Sequence, residues 1–227
     1  MKIRLAVLFV FLAFAGFAAP NGVEVFSGVT VSLRLERTPE LEYKYIGSNS
    51  YGSKGKLQNR NWAVIIVEFT PGYLPAKKKN TTAVAKGYPG SWLDDVTLDV
   101  AVEIPWDKNQ IGMMTGECKF ISIPMDGEKH VALMLIPPRM LERYMPMKGK
   151  KEYVAKNSDF KVQAIFRKGG KELGSGYFNM KSKNADDNAE YFDRLATKGN
   201  VVKNAVLPRN KTPWHLHMYD NYDLLAE

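Results

Sequence analysis

Two histidines and nearby carboxylates are the first residues whose types and spacing could do chemistry. His215 and His217 share one face if the segment is extended, and Asp220 and Asp223 follow closely. Two imidazoles with a carboxylate can bind a transition metal. The sequence has only one other histidine, His130, and i, i+2 histidine pairs are common without a metal. Metal binding stays an alternative, and the interpretation that we favour has no metal and no cofactor.

The sequence gives little support for a hydrolase. A serine hydrolase needs an activated nucleophile, a histidine and an acid, but Gly174-Ser175-Gly176 lacks the Gly-x-Ser-x-Gly spacing. The acids of Asp94-Asp95 point to opposite sides of a strand, and Asp186-Asp187 suits the start of a helix. The sequence contains neither a phosphate-binding loop nor a dinucleotide fingerprint. We therefore expect a protein that is not an enzyme.

Basic and glycine-rich stretches could contact a partner or ligand. Lys77, Lys78 and Lys79 are consecutive, and Tyr51 stands among glycine, serine and lysine in residues 47–56. Outside a cell, such loops attract acidic glycans, anionic head groups or DNA by charge. These four residues are candidate contacts, and the alternative is a solvated loop with no partner.

Four tryptophans could provide a sugar-stacking platform. Trp62 opens an apolar run and is predicted to lie in the core, whereas Trp106 and Trp214 each follow a proline in a turn-like setting. We predict that Trp106 and Trp214 are exposed and contact a ligand or partner. The alternative is that they fill the core, which is the commoner role of aromatic side chains.

The composition restricts how the fold is held together. Lys and Arg number 32 against 24 Asp and Glu, a formal net charge of +8. The single cysteine, Cys118, cannot form an intrachain disulfide and is predicted to be a small buried side chain. Packing alone must therefore stabilise the fold.

The elements that must position these residues are mainly strands. Residues 29–35 alternate between apolar and polar side chains, and residues 62–69 are nearly all apolar, as in a strand covered on both faces. Similar patterns predict strands at residues 93–104, 118–123, 130–136, 160–166 and 172–179.

Turn and helix signals complete the predicted fold. Asp126-Gly127 predicts a hairpin between two strands, and Gly169-Gly170 predicts a second hairpin. Short helices are predicted at residues 138–145 and 186–196. We predict a mainly β protein: a single antiparallel β-sandwich, immunoglobulin-like, with one or two short helices in connecting loops.

Residues 1–18 have the pattern of a signal peptide. Lys2 and Arg4 precede an uncharged apolar run, and small Gly16 and Ala18 stand where a signal peptidase would cut after Ala18. The run is short for a membrane span. We expect an exported protein with one domain over residues 19–227 and no transmembrane segment after cleavage.

Three stretches carry a family resemblance: residues 2–20 (KIRLAVLFVFLAFAGFAAP), 61–69 (NWAVIIVEF) and 213–225 (PWHLHMYDNYDLL). The chain resembles the pilus-like exported proteins encoded beside a type IV pilus secretin. The resemblance implies an immunoglobulin-like sandwich in the periplasm, at the outer membrane or on the cell surface, with a part in pilus assembly or surface contact. We expect envelope proteins as partners, type IV pilus components among them; the alternative is binding of a glycan or acidic polymer.

Overall fold

The computed structural model describes residues 22–37, 61–75, 86–88, 90–107, 110–145 and 156–216. Within these ranges it contains nine strands and two α-helices. In chain order they are β1 (Gly22–Arg37), β2 (Asn61–Pro75), β3 (Trp92–Asp107), β4 (Gln110–Pro124), β5 (His130–Ile136), α1 (Pro138–Tyr144), β6 (Lys161–Lys168), β7 (Lys171–Phe178), α2 (Ala185–Lys198), β8 (Asn200–Val202) and β9 (Leu207–Pro208).

The strands form two open sheets that pack face to face. The first sheet has the order β1-β2-β5-β9, and the second has the order β7-β6-β3-β4-β8. Neighbouring strands are antiparallel except β4 and β8, which run parallel over three residues. The predicted sandwich with two short helices is confirmed. Neither described helix is long and apolar enough to span a membrane.

Three phenylalanine rings join the two sheets at the centre of the core. Phe26 of β1 and Phe69 of β2 stack with their centroids 5.1 Å apart, and Phe166 of β6 lies 5.0 and 4.4 Å from them. The alternation in β1 turns Val31 and Leu33 toward the same core. The apolar face of each sheet is therefore removed from water by the other sheet.

One long side of the sandwich is closed by the close approach of β1 and β7. A Cβ atom added to Gly174 would lie 2.3 Å from the carbonyl oxygen of Phe26, and one added to Gly176 would lie 2.8 Å from that of Val29. Only glycine permits these backbones to come so close. The two glycines therefore set the spacing of the sheets along this side.

The opposite side is closed by residues 200–216, which we call the closing segment. It begins with β8 on β4, and the amides of Ala205 and Val206 then donate to the carbonyl oxygen of Thr115. It continues as β9 on β5, and Trp214 finally packs on the outer face of the first sheet. That outer cluster contains Trp62, Val64, Leu133, Leu135 and Trp214. Both faces of β2 are thus covered, as its apolar run predicts.

Of the two predicted hairpins, the second is confirmed. Gly169 and Gly170, with φ of 55° and 81°, turn the chain between β6 and β7. The first is wrong, because β4 belongs to the second sheet and β5 to the first. Non-local contacts turn the Asp126-Gly127 segment across the sandwich: the Gly127 amide donates to the Pro71 carbonyl oxygen, and Gly87 packs against the Asp126 backbone.

We expect Gly174→Ala to lower the free energy of unfolding by about 1–3 kcal/mol, the usual cost of overpacking. The new methyl group would overlap the Phe26 carbonyl oxygen, and the edge strands would have to separate. Urea denaturation measures the change. Ser175→Ala, at the neighbouring position, is the control and should change stability little. Equal stability of Gly174→Ala and wild type would contradict the close approach.

Candidate interaction surface

The second sheet exposes two large apolar side chains at the end where β3 begins and β4 ends. Trp92 at the start of β3 is 54% exposed, and Ile121 near the end of β4 is 58% exposed. Trp92 is paired in register with the half-buried Pro124 of β4. We call these three residues the Trp92 surface. A tryptophan and an isoleucine so open to water are a candidate contact for another molecule.

An irregularity in both strands turns Ile121 outward. Leu93 and Val96 of β3 are both buried although two exposed residues separate them, and one of these, Asp95, has a φ of 56°. On β4, Phe120 and Ile123 are likewise buried on either side of a non-buried pair that includes Ile121. Regular alternation would bury every second residue. The double irregularity therefore places one more apolar side chain on the outer surface.

Beside this surface lies an open edge of β4. The Thr115 carbonyl oxygen accepts hydrogen bonds from the closing segment and therefore points away from β3. Register is unbroken from Thr115 to Phe120, so the backbone groups of Glu117 and Lys119 point the same way. On the side away from β3, no strand among the described residues pairs with β4 at these two positions. The Lys119 and Glu117 side chains are 67% and 47% exposed, with Nζ 3.5 Å from Oε1.

A polar cluster on the outer face of the second sheet holds α2. The Nζ of Lys161 donates to both carboxylate oxygens of Glu103, at 2.9 and 3.1 Å, and lies 2.8 Å from the hydroxyl oxygen of Tyr191. The Tyr191 hydroxyl donates to the same carboxylate. Since Glu103 is on β3, Lys161 on β6 and Tyr191 on α2, the cluster fastens the helix to two strands.

The electrostatics of this cluster favour the protonated forms of both Tyr191 and Lys161. Burial opposes the charge on Lys161, but the bonds with Tyr191 and Glu103 outweigh it and raise the pKa of the lysine. Burial, and then the bond to Glu103, raise the pKa of Tyr191. Both groups therefore hold their protons more tightly in the folded protein, as suits a structural clamp.

The histidines form no metal centre in the part of the chain that the structure describes. The His130 Nε2 atom lies 3.0 Å from Oδ1 of Asp126, in the connection between the sheets. No group of three potential ligands is found among the described residues. The side chain of His215 and the whole of His217 lie outside them. The Cys118 side chain is buried, as predicted.

The candidate contact residues from the sequence have different outcomes. Tyr51 and the lysines Lys77, Lys78 and Lys79 lie outside the described residues. The predicted exposure of Trp214 is wrong: its side chain is 5% exposed because it packs on the outer face of the first sheet. Trp62 lies in the same cluster and is buried, as predicted.

Trp106 is half-buried rather than open. Its ring centroid lies 4.8 Å from that of Tyr144 in α1, and its indole lies against the backbone of Gly112. The tryptophan that the structure exposes is Trp92. The alternation of side chains along a strand predicts an exposed Trp92, because its neighbour Leu93 points into the core.

We expect the free energy of unfolding to fall as the pH rises above about 10. Lys161 and Tyr191 both have a higher pKa in the folded protein than in the unfolded chain. Their contributions to the free energy of unfolding are therefore complete below the pKa values of the unfolded chain, near 10, and are lost at higher pH. Urea denaturation at several pH values measures the slope. In Tyr191→Phe the slope should be shallower, and in the control Tyr177→Phe it should be unchanged. Equal slopes for Tyr191→Phe and wild type would refute the assignment.

We also expect Trp92→Ala to change the free energy of unfolding by about 0.5 kcal/mol or less, as is usual at exposed positions. Trp214→Ala is the matched comparison and should cost about 3–5 kcal/mol, because its ring fills a packed cluster. Chemical denaturation of both variants measures the contrast. A large loss for Trp92→Ala would show that its ring supports the fold rather than a contact.

Comparisons with known proteins agree with this architecture. No curated protein matches the sequence. A crystal structure of a protein from Akkermansia muciniphila is similar, with a TM-score of 0.61 and 15% sequence identity, covering 92% of this chain and 96% of that one. At this identity the likeness concerns the fold alone. A protein-family model matches residues 31–227, most of the sequence. The chain therefore belongs to the family that this model describes.

Proposed function

We propose that this chain is a non-enzymatic, exported envelope protein that takes part in pilus assembly or surface interaction through contacts with other proteins. Its partners are envelope proteins, type IV pilus components among them, and it acts in the periplasm, at the outer membrane or on the cell surface. The observation that carries the proposal is the Trp92 surface. The signal-peptide pattern of residues 1–18 supports export.

The Trp92 surface has the composition of a protein-binding site. Tryptophan is enriched among the residues that dominate binding energy, because its ring brings a large apolar area and little conformational entropy to lose. Ile121 adds a second apolar side chain beside the β4 edge, where no described strand pairs with Glu117 or Lys119 on the side away from β3. Exposed strand edges recruit extended segments of other proteins. The surface thus combines an anchor with a pairing edge.

The polar clusters support a role without catalysis. Glu103, Lys161 and Tyr191 direct their charges and hydrogen bonds at one another. His130 is engaged by Asp126. Catalytic groups need a substrate within hydrogen-bond reach, whereas these groups join strands, a helix and a turn of the same molecule.

We expect a photo-cross-linking amino acid at position 121 to capture defined envelope proteins in intact cells. The reason is that Ile121 is 58% exposed and belongs to the Trp92 surface. Mass spectrometry of the adducts identifies the partners, and the same group at Ser32, exposed on the first sheet, is the control. Trp92→Ala should reduce the yield at position 121 about tenfold. Adducts that are equal at both positions, or absent at position 121, would contradict the proposal.

The second candidate function is binding of a glycan or acidic polymer. It is favoured by the exposed ring of Trp92, with Asp94 and Ser122 paired in register next along the strands. An aromatic face can stack on a sugar ring, and carboxylate and hydroxyl groups can bond to its hydroxyls. A glycan array and heparin binding at low salt test it, with Trp92→Ala as the comparison. Absence of binding in both assays would eliminate this candidate.

A further inference from the structure

We propose that two copies of this chain pair through the open edge of β4, antiparallel, about a two-fold axis at Cys118. The second sheets of the two molecules would then join into one continuous sheet. The inference deepens the proposed function, on whose protein contacts it rests, by naming a second copy as a partner. It is carried by the backbone groups of Glu117 and Lys119 that point away from β3, and by the opposite charges of these two side chains.

The backbone of this segment is oriented for pairing. Glu117 and Lys119 point their amide and carbonyl groups away from β3, as Thr115 does. In an antiparallel pair, directly opposed residues of this kind exchange two hydrogen bonds. A two-fold axis at Cys118 places Glu117 of each copy opposite Lys119 of the other, which gives four hydrogen bonds. Such an interface is isologous, the usual arrangement in dimers.

The charges select this register. With the axis at Cys118, the Glu117 carboxylate of each copy faces the Lys119 ammonium group of the other copy. The interface therefore contains two such pairs. An axis at Lys119 would oppose two lysines, and an axis at Glu117 would oppose two glutamates. Opposite charges across antiparallel strands stabilise the pair, and like charges destabilise it. The segment Glu117-Cys118-Lys119 is thus its own complement when the strand direction is reversed.

The neighbouring structure limits the length of the pairing. At Thr115, the amides of Ala205 and Val206 occupy the β4 edge. At the other end, the irregularity at Ile121 ends the regular strand. The backbone of Val206 also lies against Gly116. About four residues per copy remain, so the contact is small, and small contacts are typical of weak, reversible complexes.

Sedimentation velocity of the full chain over a concentration series tests the pairing. We expect a monomer–dimer equilibrium whose dissociation constant rises about tenfold or more in Glu117→Lys and in Lys119→Glu. Each variant alone opposes like charges twice. An equimolar mixture should dimerise like wild type, because the mixed pair restores both attractions. The controls Glu128→Lys and Lys171→Glu make the same charge changes at exposed positions elsewhere.

Cysteine substitutions test the register independently of affinity. Opposed residues in a hydrogen-bonded antiparallel pair have Cα atoms about 5.5 Å apart, within disulfide range. Because the proposed axis also brings the two native Cys118 residues opposite each other, the test uses a Cys118→Ala background. In that background, mixing Glu117→Cys with Lys119→Cys under mild oxidation should give a covalent heterodimer, and neither variant alone should cross-link.

A monomer at all concentrations, a mixture that does not restore association, or equal cross-linking of single variants would overturn the inference. These outcomes leave the proposed function standing, because the adducts at position 121 report other envelope proteins. If those adducts were absent but the dimer formed, the proposed contacts with other proteins would be refuted and the pairing of two copies would stand.

Discussion

The contact between the inner faces of the two sheets is the interaction on which the structure depends. Phe26, Phe69 and Phe166 form its centre, with ring centroids 4.4–5.1 Å apart. With one cysteine in the sequence, no intrachain disulfide can share this task. Removal of apolar surface from water, together with close packing, must therefore supply most of the stability.

Closure of the sandwich decides which surfaces remain available. Gly174 and Gly176 bring β7 against β1 on one side, and the closing segment covers the edge of β4 up to Thr115 on the other. Buried strand edges and apolar faces are thereby satisfied within the molecule. Among the described residues, the β4 edge beyond Thr115 has no paired strand on the side away from β3, and the adjoining Trp92 surface is exposed to water. Both proposals concern this one region.

The polar cluster beneath α2 has a structural explanation. The cluster of Glu103, Lys161 and Tyr191 pairs largely buried charges on the outer face of the second sheet and orients α2. Removal of one member would leave the others buried without compensation. The cluster therefore links the position of the helix to the sheet, and the helix leads directly into the closing segment that completes the opposite side.

Local sequence patterns determined much of the fold. Alternation and short apolar runs located the seven long strands, although residues 22–28 of β1, 70–75 of β2 and 110–117 of β4 were not predicted as strand. The Gly169-Gly170 pair marked the β6–β7 hairpin, and both helices were predicted from their local signals. β8 and β9 were not predicted, because strands of three and two residues contain too little periodicity. The candidate site was only partly accessible: alternation implies an outward Trp92, but the irregularity that exposes Ile121 has no sequence signature of this kind.

Other features were decided only by tertiary structure. The Asp126-Gly127 turn has the residues of a hairpin, yet contacts with Pro71 and Gly87, distant in sequence, direct it from one sheet to the other. Trp214 has a turn-like sequence setting, yet an apolar sheet face formed by β2 and β5 buries it. Residue type and spacing determine which conformations a segment favours. Burial and pairing depend on which distant segments it meets, and that is settled when the sheets pack.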